Sequence, residues 1–220
     1  MLAAALALTL ILTACTPRLT GEGKAKEAGL ALINQVFDVK ETDAVVTYVE
    51  YAGFSYVNGV PVQYGTEEPA RVYMVAIPQN NSEKSLYCAL VNAETGFAYQ
   101  AEKSEDLFSP MSAEQQNQAE ELASIDLMNG DYDQLSDAYR RILNESNPGG
   151  VATDWATKKF CPGMPVIATL ENGSMTDSET EPRVYLEYLI VFMDGAVYRV
   201  TLVWPTMEVK QVSILSRSVQ

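Results

Sequence analysis

The chain has no histidine, only three cysteines, and no apolar run long enough to cross a bilayer. Without imidazole, Ser-His-Asp and Cys-His catalysis are excluded, as are zinc sites built on histidine. Cys88 and Cys161 have neither the C-x-x-C spacing of a redox pair nor the paired spacing of a zinc site. No Gly-rich phosphate loop or dinucleotide fingerprint occurs, so the sequence implies no cofactor and no metal. Basic charge is scarce as well: 15 Lys and Arg stand against 29 Asp and Glu, a net charge of −14. The acidity is spread on both sides of Pro110. A surface of that sign repels phosphate backbones and anionic headgroups, which makes nucleic acid a poor partner and electrostatic docking to a bilayer unfavourable.

The first charged residue is Arg18. Leu2 through Leu12 is apolar except for Thr9, and the run closes on Leu12-Thr13-Ala14-Cys15. At about 1.5 Å per residue, such a helix falls short of the roughly 30 Å hydrocarbon core. A short apolar run ending in small residues predicts a secretory signal over residues 1–14, although no Lys or Arg precedes it. Leu12-Thr13-Ala14-Cys15 resembles the lipobox of bacterial lipoproteins. The resemblance implies cleavage between Ala14 and Cys15 and a diacylglyceryl group on the Cys15 sulfur, making the membrane a partner through lipid. Two acyl chains mark the difference between marginal and stable anchoring. Residues 15–23, with Pro17, Gly21 and Gly23, then read as a lipidated terminus and short tether. The address is extracytoplasmic. There a disulfide between Cys88 and Cys161 is permitted, the alternative being two separate buried thiols.

The remaining residues have the composition of a globular chain, 47% hydrophobic and 20% charged over the whole sequence. Lys24 to Asp38 places Ala28, Leu32, Ile33, Val36 and Phe37 on one helical face. Ala44–Tyr56, Arg71–Ile77 and Leu86–Tyr99 are β-rich, the last broken by a turn at Asn92-Ala93-Glu94-Thr95-Gly96. This helix, the strand Val72-Tyr73-Met74-Val75 and the run Leu86 to Gly96 resemble a PepSY-type domain, whose strand runs into Val-Asp-Ala-x-Thr-Gly. Asn92 stands where that family usually has Asp. The resemblance spans residues 24–103 and implies a helix packed on a small antiparallel sheet, with a role in restraining peptidases or in envelope interactions.

Residues 104–112 break the β pattern and serve as a linker. Ser112 with Gln115 forms a capping-box start for a helix to about Met128, stopped at Asn129-Gly130. Leu135, Ala138, Tyr139, Ile142 and Leu143 mark a second helix from about Asp131, with Pro148-Gly149-Gly150 as its stop. A short turn of helix is expected around Asp154–Phe160. Val166–Leu170, Arg183–Met193, Ala196–Trp204 and Met207–Leu215 read as strands, with Asp194-Gly195 a strong hairpin signal. Residues 113–220 therefore form helices followed by an antiparallel meander, resembling weakly the cystatin-like or nuclear-transport-factor-like cone. The fold class is α+β, two small domains with helices packed on antiparallel sheet.

Carboxylates and aromatics remain as candidate chemistry. Glu67-Glu68 and the run Asp177–Glu181 fall in loops, where solvated surface is the ordinary role, and neither continues into calcium-loop spacing. Tyr48, Tyr51, Phe54 and Tyr56 crowd one strand region, where an aromatic row binds an extended peptide or packs the sheet. No catalytic residue is assigned. The sequence thus points to a non-enzymatic, lipid-anchored envelope protein that engages a protein or peptide. The alternatives are a carboxylate-dependent hydrolase of envelope glycans, or a small-ligand carrier whose pocket is lined by Tyr198, Val200, Leu202 and Trp204.

Overall fold

A computed structural model describes residues 19–51, 55–57, 60–62, 70–80, 84–124, 132–175 and 181–217. The signal region, Cys15, Phe54, Glu67-Glu68 and the acidic run before Glu181 lie outside the described residues. The chain opens with α1 (Glu22–Phe37), then β1 (Val45–Tyr51), a small hairpin of β2 (Ser55–Val57) and β3 (Val60–Val62), and β4 (Ala70–Pro78), β5 (Ser85–Asn92) and β6 (Ala98–Lys103). A 3-10 turn at Glu105–Leu107 leads to α2 (Ala113–Ala123), α3 (Tyr132–Ser146) and α4 (Pro148–Lys159). The meander β7 (Val166–Met175), β8 (Val184–Phe192), β9 (Val197–Trp204) and β10 (Glu208–Ser216) completes it.

The α+β class holds, with the four helices packed on one antiparallel sheet of eight strands in the order β1-β4-β5-β6-β10-β9-β8-β7. Each half of the chain is a helical part followed by a four-stranded meander. The halves join through their last strands, so the topology reads the same inward from either edge. At the junction Glu102 pairs with Gln211, Ala101 with Val212 and Gln100 with Ser213. One apolar cluster runs beneath both halves, from Ile33 and Val75 to Leu186 and Val200.

Side chains alternate across a strand, so one close contact fixes which face is which. A Cβ on Gly29 of α1 would lie 2.6 Å from the Val75 Cβ, which puts Tyr73, Val75 and Ile77 on the helix side. On β8 the same alternation buries Val184, Leu186, Tyr188, Ile190 and Phe192 against the helices, while Tyr185, Glu187, Leu189 and Val191 face away. One row on that far face crosses every strand: Thr47, Met74, Leu90, Gln100, Ser213, Arg199, Leu189, Thr169.

Several local expectations shift. The first helix begins at Glu22, two residues before the expected start, and takes up the end of the expected tether. Ser112 and Gln115 form the full capping box, but α2 ends at Ala123. The Pro148-Gly149-Gly150 stop is instead the first turn of α4: proline suits a first helical turn, and the Asn147 side chain accepts from the Gly150 N–H at 3.2 Å. The two glycines serve packing, since a Cβ on Gly149 would stand 3.3 Å from the Tyr188 ring and one on Gly150 would strike Asn147. The linker is pinned rather than loose. Phe108 lies under the cations of Lys103 and Arg183, each 5.2 Å from the ring centroid, and the Ser109 N–H donates to Glu208 at 2.8 Å.

The α1–β4 approach leaves no room for a methyl group beside the stem of Val75, so Gly29→Ala must shift the helix or strain the strand. Against a helix-propensity gain of up to about 1 kcal/mol stands an overpacking cost of about 1–3 kcal/mol. A lower midpoint in denaturant unfolding is expected; an unchanged or raised midpoint would contradict this packing.

Candidate functional site

The face of the sheet turned away from the helices is polar at its centre and apolar toward its edges. In the middle, Arg199 bridges Glu171 at 2.7 Å and Glu187 at 2.8 Å, and the Ser213 hydroxyl donates to Gln100 at 3.3 Å. Toward the flanks stand Val45, Val49, Met74 and Leu90 on one side and Leu189, Val191 and Ile167 on the other. A smaller cluster, Val72 and Tyr99 with Leu90, Phe97 and Leu215, is buried on this face, and β3 approaches β10. Near the 3-10 turn lies an open groove of about 450 Å³. Lys84, Lys103 and Lys210 meet Glu102, Glu105 and Asp106 on its walls, with Cys88 among its lining residues.

Of the two edges, β1 is the more available. The Ala93 N–H donates to the Arg71 carbonyl across β4 and β5. Hydrogen-bonding alternates along an antiparallel strand, so odd-numbered residues of β4 bond to β5 and even-numbered ones to β1. By register, Val45, Thr47, Val49 and Tyr51 then bond to β4. The backbone groups of Val46, Tyr48 and Glu50 point outward, unpaired with any strand among the described residues. This edge carries neither proline nor lysine, two common guards against pairing with another chain. The opposite edge, β7, is kinked by a register shift between Leu170 and Asn172.

The aromatic candidates divide. Tyr48 lies on the helix side, its ring 5.5 Å from Tyr73, and its hydroxyl donates to Glu50 at 2.6 Å. Burial, then the Glu50 carboxylate, pushes its pKa up to about 12. Tyr51 lies on the far face, half exposed, as alternation predicts. Tyr56 falls on β2, of which only the backbone is described. Tyr48 and Tyr51 thus stand on opposite faces, the arrangement that strand alternation predicts.

Cys88 and Cys161 are both free thiols. Cys88 pairs with Ala76 and Glu102 on the far face, whereas Cys161 follows α4 and hydrogen-bonds with Tyr198 on the helix side. The sheet stands between them, so the disulfide is not formed and the reading of two separate thiols holds. Burial pushes Cys88 up to about 12 and raises Cys161, leaving neither as an activated nucleophile. Tyr198, Val200, Leu202 and Trp204 do point one way, but into packed core rather than a ligand cavity. Trp204 alone of the four also lines a cleft of about 240 Å³ between α2 and α3.

The Asn92 turn was visible as a motif but not as a device. Asn92 is buried, and its side-chain oxygen accepts from the Glu94 and Thr95 N–H groups, both at 2.9 Å, while Gly96 takes φ +74°. Arg71 donates to Glu94 at 2.9 Å and ties the turn to β4.

Among the described residues no group of three Cys, Asp or Glu side chains comes together as metal ligands. Among the described carboxyls, hydrogen bonds from Lys159 and Lys26 lower Asp38 and Asp43. At Glu208 burial opposes ionisation, yet the hydrogen bonds from Lys103 and the Ser109 N–H outweigh it and lower its pKa. Comparison with protein-family models, curated proteins and solved structures returned no match.

Glu208 ties the pinned linker to β10, and this gives a pH signature. A carboxyl depressed on folding contributes stability that is present above its ordinary value of 4.5 and lost as pH falls through the lower folded value. Stability measured by denaturant unfolding is expected to drop on acidification below that value, and Glu208→Gln to flatten part of the drop. An identical pH profile for the variant would refute the assignment.

Proposed function

We propose that the protein is a lipid-anchored, non-enzymatic binding protein of the bacterial cell envelope, held to the outer face of a membrane through Cys15. Its first half is read as PepSY-like, and its partner as a protein or peptide. The observation that supports this most is the free edge of β1. A partner in extended conformation gains main-chain hydrogen bonds at Val46, Tyr48 and Glu50, while its alternate side chains meet Tyr51 and Val49 on one face and Tyr48 on the other. On the far face beside that edge Val45 and Thr47 are exposed and Met74 partly so, and they offer the partner further contact. The acidic surface favours a neutral or basic partner. The anchor supplies attachment, leaving the folded body to supply recognition.

Two variants test this reading separately. Cys15→Ala is expected to move the protein from the membrane fraction to the soluble extracytoplasmic fraction; unchanged membrane retention would refute the anchor. Glu50→Pro removes an outward N–H, and with it the carboxylate that accepts from the Tyr48 hydroxyl at 2.6 Å and pairs with Arg71 at 3.6 Å. Cross-linking from β1 in membrane-anchored protein should capture an envelope protein or peptide, and Glu50→Pro should abolish that capture. Capture unaffected by the substitution would rule out strand addition at this edge.

A further inference from the structure

The row Thr47–Thr169 divides the sheet into two ends, and one of them gathers features that separate parts of the chain contribute. Moving down every strand in the same direction leads to Tyr51 on β1, the β5–β6 turn, the end of β10, the β8–β9 turn and the start of β7. The amino-terminal segment enters here. The Thr20 N–H donates to the Ala93 carbonyl at 2.7 Å, and the Thr20 hydroxyl to the Glu94 carbonyl at 3.1 Å. Gly96 makes room for it, since a Cβ there would stand 2.9 Å from the Thr20 methyl group. Cys15 precedes Thr20 by five residues, a stretch that spans at most about 18 Å. A lipid on Cys15 therefore keeps this end, and not the groove end, against the bilayer.

The same end carries the most exposed apolar side chains. Among the described residues Met193 is 79% and Ile167 71% exposed, and Leu19, Tyr51 and Val191, each 38% exposed, lie at this end too. Val45, also exposed, lies toward the other end, and Tyr48 lies beside the dividing row. Ile167 and Val191 are cross-strand partners and the Met193 N–H donates to the Pro165 carbonyl at 3.1 Å, so these three form one apolar patch at the β7 side of this end, and apolar surface left in water marks a contact site. We infer that this end of the sheet is a bilayer-contacting surface, with Met193 and Ile167 seated in the headgroup region and the strands rising from it. The inference rests on the anchor at Cys15 proposed above. It turns the groove end outward and leaves the β1 edge running away from the membrane, where a partner can reach it. Contact by apolar insertion suits a chain whose net charge of −14 offers anionic lipid nothing.

The test uses the full lipidated chain in zwitterionic phosphatidylcholine vesicles that contain a nitroxide-labelled lipid as quencher. Fluorophores are placed singly by Met193→Cys, Ile167→Cys and, at the other end, Asn80→Cys. The raised thiols of Cys88 and Cys161 and the acylated Cys15 leave the introduced thiol as the reactive one. Quenching several-fold stronger at Met193 and Ile167 than at Asn80, unchanged by salt, is expected. Weak or equal quenching at all three positions, with the protein still co-sedimenting with vesicles, overturns the inference while leaving the anchor standing. In that case cross-linking from Met193→Cys that captures a second copy would assign the patch to self-association. Failure to co-sediment, with no lipid found on Cys15 by mass spectrometry, overturns the anchor and this inference with it.

Discussion

The pairing of β6 with β10 is the contact on which the rest of the architecture depends. Three residue pairs carry it, and through them two meanders that would each expose an edge become one eight-stranded sheet. Sheet edges left open invite association with other chains, and joining the two last strands removes two of four. It leaves one edge, β7, kinked and the other, β1, straight. The clamp around Phe108, where Lys103, Arg183, Ser109 and Glu208 meet, holds the connecting segment across the same junction.

One-sided helix packing follows from where the small residues are. Gly29 lets α1 approach β4, and Gly149 lets α4 approach β8; both contacts lie on the same side of the sheet. The opposite side keeps its polar centre, where Arg199 is held between two carboxylates, and its apolar flanks. Among the described residues the helices thus seal one face of the sheet and leave part of the other exposed.

Much of this was legible locally. The 3.6-residue pattern of α1, the Ser112 capping box, the Asp194-Gly195 hairpin and the alternation of Tyr198, Val200, Leu202 and Trp204 are short-range signals, and they recur as real elements. The start of α4 was misread because Pro148-Gly149-Gly150 is a breaker by propensity, and only the approach of Gly149 to Tyr188 and of Gly150 to the Asn147 cap makes the glycines useful in a helix. The union of β6 and β10 had no local signal, because residues more than a hundred apart meet there. The same holds for the free edge and for the apolar end near Thr20. Each is set by strand order, which neither Val46 nor Met193 announces in its own neighbourhood. Asn92 was readable as part of a turn, but its two accepted hydrogen bonds appear only once the turn is folded.

Hydrogen exchange resolved to single amides tests the central claim, that the two halves share one sheet and leave β1 as its free edge, most directly. Ala101 and Val212 should exchange as slowly as the central amides of β4 and β8, with the outward amides of Val46, Tyr48 and Glu50 exchanging fast. Rapid exchange at Ala101 and Val212, with the interior of each half still protected, would mean two separate sheets and would contradict the account.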